Sequence, residues 1–236
     1  IQVMSVGGGV GHTEIWGNTS LSVNTSYINL APYEALIPST QGMEWNDPYE
    51  SISGEGVFRA KGDRSMFKFY TGFNQATLDI NQEDINFEDL VRFQLKNRNL
   101  YFNTSYKHFF GNNWSLFSGA SVSNDVNEIA IIEDAIDTEE VNAHIKVKVK
   151  KGFSNRFELN TGVELFSTKY DETYQDPDGF TFDGGYDDVL VAGFLEGDIF
   201  FSQNLALKLG ARAEHSNVLD QFSISPRLSL AYKSSE

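Results

Sequence analysis

LALKLGARAEHS, residues 205–216, reads as a strand whose two faces differ in kind. Leu205, Leu207, Leu209, Ala211 and Ala213 fall on one side; Ala206, Lys208, Gly210, Arg212 and Glu214 fall on the other. Side chains alternate across a strand, so this period of two gives one oily face and one charged face.

The same alternation returns along the chain. Residues 140–150 set Val141, Ala143, Ile145, Val147 and Val149 against Glu140, Asn142, His144, Lys146, Lys148 and Lys150. Residues 156–166 set Phe157, Leu159, Val163 and Leu165 against Arg156, Glu158, Asn160 and Glu164. Residues 189–201 set Val189, Val191, Leu195 and Ile199 against a face with Glu196 and Asp198, although Leu190 and Phe194 weaken the contrast. Residues 221–232 set Phe222, Ile224, Leu228 and Leu230 against Ser223, Ser225 and Arg227, with Pro226 predicting a local break or bulge. Weaker versions cover 19–30, 52–61, 66–74, 99–107 and 114–124, and a Gly-rich stretch opens the chain. The pattern predicts an all-β protein of about eleven strands, with no helix of clear period and caps.

The connections alternate as well. Short ones fall at 17–18, 62–65, 111–113, 152–155 and 202–204, and long ones at about 30–51, 79–96, 125–139 and 169–187. A meander with tight turns at one end and long loops at the other has this form. Aromatic residues flank the tight turns: Trp16, Phe110, Trp114, Phe153, Phe201 and Tyr232. Charge is segregated too. Segments 30–51, 79–89, 125–140 and 170–188 hold 23 of the 33 acidic residues and none of the 18 basic ones. The net charge of −15 argues against nucleic acid as a partner, because phosphate binding needs a basic face. The absence of cysteine excludes disulfides and thiolate metal sites.

Alternation alone also fits a soluble β-sandwich with its oily face inward. Strands of roughly 9–12 residues, aromatic residues beside tight turns and alternating loop lengths favour the inverted arrangement, a transmembrane barrel. Ile145, Val147, Leu207, Leu209 and Leu228 are then expected to meet lipid. Lys146, Lys148, Arg156, Glu158, Glu164, Glu196, Asp198, Lys208, Arg212, Glu214 and Arg227 are expected to face the lumen.

GFLEGDIFFSQNLALKLGARAEHS (193–216) and FSISPRLSLAYK (222–233) resemble the barrel of TonB-dependent outer-membrane receptors of the Bacteroidetes type. TSYINLAPYEALIP (25–38), EWNDPYESISGEGVFRAK (44–61) and MFKFYTGFN (66–74) resemble earlier hairpins of the same family. The resemblance implies a barrel of about 22 strands, of which this chain would be about half. It also implies an N-terminal plug and a motif contacting the energy-coupling protein TonB. Plug and C-terminal strands are expected to lie outside this chain, which reads as a piece of a longer processed one. The implied role is active uptake of a small nutrient across the outer membrane of a Gram-negative bacterium. The implied partners are lipid, lipopolysaccharide and TonB. A passive porin-type channel and a soluble sandwich that binds a ligand are the alternatives.

No nucleophile–base constellation appears, and the four histidines are scattered, so no enzyme is expected. Carboxylates on the charged face share it with Arg and Lys, which predicts a solvated charge network. Loop aromatics Tyr33, Trp45, Tyr49, Tyr170, Tyr174, Phe180, Phe182 and Tyr186 are the candidate ligand contacts, since flat rings stack on ring-containing ligands. DPDGFTFDGG (176–185) carries part of a calcium-loop pattern without its full spacing. Asp176, Asp178, Asp183, Asp187 and Asp188 are therefore the candidate ligands of a structural calcium; no other cofactor is expected.

Overall fold

In the computed structural model, which describes residues 6–32 and 42–234, each strand pairs with the next in the chain. The strands are β1 (Val6–Trp16), β2 (Thr19–Asn29), β3 (Met43–Lys61), β4 (Ser65–Gln82), β5 (Val91–Phe109) and β6 (Trp114–Ile131). They continue as β7 (Asp134–Ser154), β8 (Phe157–Gln175), β9 (Thr181–Phe200), β10 (Leu205–Ser216) and β11 (Gln221–Tyr232). All eleven make one antiparallel sheet in chain order. A sandwich needs two packed sheets, so the sandwich alternative falls here.

The strands are longer than their sequence patterns. β3 to β9 run 18–21 residues each. The stretches expected as long loops at 79–96, 125–139 and 169–187 are mostly strand, and the described part of 30–51 is strand from Met43. Ile132 and Glu133 alone join β6 to β7, with Ile132 in the left-handed region at φ 61. Two-residue hairpin turns demand that conformation, though Asn or Gly is its usual occupant. Pro226 stands opposite Ala211 on edge strand β11, and the register runs through without a bulge.

The misjudged lengths have a physical origin, clearest in β8. Exposure alternates along the whole strand: Val163, Leu165, Lys169, Asp171 and Thr173 are exposed, while Glu164, Phe166, Thr168, Tyr170 and Glu172 between them are more covered. The pleat therefore never slips. What changes is the chemistry of each face. Near the tight turn the exposed face carries Val163 and Leu165, and farther along it carries Lys169, Asp171 and Thr173. β5 does the same. Phe102 and Leu100 share a face with Arg98, Lys96, Gln94 and Arg92, while Tyr101 and Asn99 share the other with Leu95, Phe93 and Val91. In β4, Phe67, Phe69 and Phe73 give way to Thr77 and Asp79 on one face, and Ala76, Leu78 and Ile80 appear on the other.

The two faces also differ in crowding. Of the nine buried residues among those described, eight (Ser51, Ala76, Ile80, Val91, Asn160, Glu164, Ala192 and Ser216) share one face by register, and Asp79 lies on the other. The sheet curls around that face, which is the inner one. The outer face leaves Val163 59% exposed and Ile145 and Val191 50% exposed, while Ala192 on the inner face is 1% exposed. Arginine in place of Val163 should cost about 2–4 kcal/mol in a lipid-reconstituted barrel, against nearly nothing for arginine at Thr173 on the same face. Urea unfolding in lipid vesicles measures both. Residues 1–236 expressed alone should be insoluble without detergent, because among the described residues β1 and β11 each carry a free edge and the outer face is oily.

Candidate functional site

The inner face is layered along the strands. Nearest the tight turns it carries a charge network. Glu164 accepts from Lys146 at 2.5 Å and from Arg212, which also donates to Glu214 at 2.8 Å. Lys150 pairs with Glu158, Lys208 with Asp198 at 3.4 Å and Glu196 at 4.0 Å, and Arg227 approaches Glu196 at 3.9 Å. The structure thus brings nine of the eleven residues expected at the lumen into ion pairs. Lys148 shares their face and lines the same recess of about 280 Å³ as Lys146, Phe194 and Arg227. Arg156 lies in the β7–β8 turn, where its carbonyl accepts from the Phe200 amide at 2.9 Å. Each carboxylate here has a basic neighbour, so no free carboxylate pair is set for hydrolysis.

Higher up, the inner face turns to amides, phenols and carboxylates. Register places Asn74, Asn99, Asp125, Glu140, Tyr170 and Tyr186 in one row across β4 to β9. Asp125 accepts from Asn99 at 2.9 Å and Asn127 at 2.8 Å, Glu140 accepts from Asn142, and Tyr170 donates to Glu172 at 2.7 Å. That hydrogen bond, then burial and the surrounding carboxylates, push the Tyr170 phenol up to about 12, so it remains a donor at any physiological pH. Tyr170 and Tyr186 pack with ring centroids 5.7 Å apart. Above them an apolar row runs Leu78, Leu95, Ile129, Ile136, Tyr174 and Phe182, and a second runs Trp45, Ile80, Phe93 and Ile131.

The aromatic candidates therefore stand on strands rather than loops. Trp45 and Tyr49 belong to β3, Tyr170 and Tyr174 to β8, and Phe182 and Tyr186 to β9; Phe180 closes the β8–β9 turn. Tyr33 lies outside the described residues. The structure brings Trp45, Tyr170, Tyr174, Phe182 and Tyr186 to the inner face. The five aspartates do not converge. Asp176 caps its own turn by accepting from the Phe180 amide at 2.8 Å, and Asp178 lies in that turn. Asp183 accepts from Thr173 at 2.8 Å, Asp187 stands opposite Lys169, and Asp188 accepts from Ser216 at 2.9 Å on the other face. Among the described residues no group of three or more His, Asp or Glu is arranged to hold a metal ion.

Two features escaped the sequence reading. One is a recess of about 330 Å³ where β2 to β5 meet, lined on the inner face by Asn24, Glu55, Tyr70, Asn74, Asn99 and Tyr101. Its signal was the amide spacing of Asn97, Asn99 and Asn103 around Tyr101, opposite in phase to Leu100 and Phe102. The other is an outward network at the far ends of β3 to β5. Arg92 grips Asp79 through Nε at 3.1 Å and Nη2 at 2.6 Å, and Gln94 and Asn46 add donors at 2.8 and 3.0 Å. It bridges the register shifts of β3 between Trp45 and Glu50.

No protein-family model matches the chain, and no curated protein matches it by sequence. Solved structures do match its fold. The alcaligin outer-membrane receptor FauA of Bordetella pertussis aligns over 98% of this chain and 39% of its own, with TM-score 0.74 and 12% identity. The ferric yersiniabactin uptake receptor FyuA of Yersinia pestis aligns over 98% and 43%, with TM-score 0.74 and 10% identity. The ferric enterobactin receptor PfeA of Pseudomonas aeruginosa aligns over 98% and 39%, with TM-score 0.68 and 13% identity. The sheet has the fold of the barrel region of such receptors, and the chain spans about two fifths of their length.

The Arg92 fork, ahead of the amide donors, holds the Asp79 carboxyl at about 2, below its ordinary 3.8. A depressed carboxylate stabilises the folded state above its unfolded pKa and loses that contribution as pH falls through the folded value. Proteolysis at the far ends of β3 to β5 should therefore stay slow down to about pH 4 and rise as pH approaches 2. Arg92→Ala should move the onset upward towards 4, the ordinary carboxyl range; an unchanged onset would show that the fork is not what holds Asp79.

Proposed function

We propose that these residues form part of the barrel of a TonB-dependent outer-membrane receptor that imports a small nutrient, and that the chain is not an enzyme. The observation that carries this reading is the shared level at which the outer face of β4 to β9 stops being oily. From each tight turn the oily stretch runs roughly ten residues, the length that crosses a bilayer when tilted. At its lower border Lys151 sits 5.0 Å from the Trp114 ring and 6.0 Å from the Phe153 ring. Aromatic rings with a cation whose stem lies along apolar surface are the usual furniture of a membrane interface.

In this reading the tight turns face the periplasm, and the acidic far ends stand outside the cell beside lipopolysaccharide. The layered inner face is the ligand path. TonB and the plug act through parts of the protein beyond these residues, as the family resemblance implies. The fold likeness supports this reading, as do the ion pairs lining the inner face, which suit a wet or protein-filled lumen better than lipid.

The passive channel is the other reading. The intact protein, reconstituted into planar bilayers, should show no standing ion conductance, and deletion of the proposed plug should open a large one. A steady conductance from the intact protein would assign it to the porin class instead.

A further inference from the structure

The recess between β2 and β5 has a definite chemical character. Gly72 faces inward on its floor, where an added Cβ would lie 3.1 Å from the Tyr70 hydroxyl. Glycine keeps that floor open at a size ordinary for small-molecule sites. Tyr70 and Tyr101 form one wall, their ring centroids 5.8 Å apart and tilted by 56°. Asn74 and Asn99 face each other in register on the rim.

Charge narrows what can enter. Register runs Arg59, Lys68, Ser105, Gly119 and Lys146 in one inner row below the recess. Above that row, no Lys or Arg stands on the inner face among the described residues. The basic residues at that height, Arg92, Lys96, Arg98 and Lys169, all lie on the outer face by register. An anionic ligand would find the Glu55 carboxylate and no Lys or Arg among the lining residues, which is repulsive in a cleft with low-dielectric walls. A metal cation finds no cage either: the carboxylates keep their charge, but neutral donors already occupy their oxygens, and among the described residues no three of them converge. Glu55 accepts from Asn24 at 2.8 Å and Tyr70 at 3.2 Å. Asp125, Glu140, Glu172 and Asp188 accept from amide or hydroxyl groups in the same way. What remains on offer is neutral hydrogen bonding from amides and phenols, beside flat rings.

We infer that this recess takes a neutral, hydroxyl-rich ligand, an oligosaccharide, with an apolar sugar face on the Tyr101 ring and hydroxyls on Asn74 and Asn99. The inference rests on the uptake reading and names the class of its cargo. Ring stacking and amide–hydroxyl pairs are how a protein grips a molecule without charge.

The test uses the full-length receptor in detergent, with folding checked by heat-modifiable gel migration, and measures binding of a panel of neutral oligosaccharides and of a ferric catecholate chelate. Oligosaccharide binding without chelate binding is expected. Tyr101→Ala should weaken it about tenfold, while Tyr101→Phe and Glu55→Gln should each change it by less than about threefold. Binding of the chelate, or of no oligosaccharide, overturns the inference. So does a tenfold loss in Glu55→Gln with Tyr101→Ala silent, which would mark a cationic ligand. If oligosaccharides bind as expected to a protein that conducts ions without gating, the uptake reading fails and the ligand class stands.

Discussion

A strand's pleat is rigid in phase, whereas the medium outside a membrane barrel is not constant along the strand. Every side chain of β8 keeps the face its position dictates from Phe157 to Gln175. On the proposed reading the outer face meets hydrocarbon over the first half and water over the second. Outward positions are therefore Val163 and Leu165 low on the strand and Lys169 and Asp171 high on it. The inner face changes in the opposite sense, from paired charges such as Glu164 to Phe166, Tyr170 and Tyr174. The oily residues change sides because water lies outside the upper half and a crowded concavity inside it.

This inversion organises the polar contacts as well. Low on the strands, charges have only the inner side available, and they pair there: Lys146 and Arg212 on Glu164, Lys150 on Glu158. Glu164 is the buried member of that network, and leaving it unpaired would cost on the order of 3–5 kcal/mol, whereas the more exposed pairs contribute little. High on the strands, charges return to the outer face, as Arg92 on Asp79 and Lys96 on Glu128. The upper inner face then carries no Lys or Arg among the described residues, and its carboxylates accept from amides and hydroxyls instead, as Asp125 does from Asn99 and Asn127.

The same inversion explains what was legible in the sequence. Alternation survives reading by eye wherever its apolar phase is constant, so the count of eleven strands and the short connections could be read directly. In β5 the apolar positions are Leu100, Phe102 and Tyr106, then Leu95, Phe93 and Val91. A reader tracking one phase stops near Asn99 and takes the rest for loop. Trp45, Tyr174, Phe182 and Tyr186 thus stand out as aromatics in stretches that look like loops but are strand. The Asp79–Arg92 fork and the Glu55–Asn24–Tyr70 cluster join residues 13, 31 and 15 positions apart, which no local pattern reveals. The aspartates of 176–188 look like a cluster in sequence, yet alternation sends Asp187 and Asp188 to opposite faces.

A nitroxide scan of β5 from Val91 to Phe109, in the full-length protein reconstituted in lipid, addresses the inversion most directly. Even-numbered positions from Leu100 to His108 should be accessible to lipid-soluble oxygen. Even-numbered positions from Arg92 to Arg98 should instead respond to a water-soluble quencher, with Phe93 and Leu95 shielded from both. Oxygen accessibility at Phe93 and Leu95, or water accessibility at Phe102, would contradict the account.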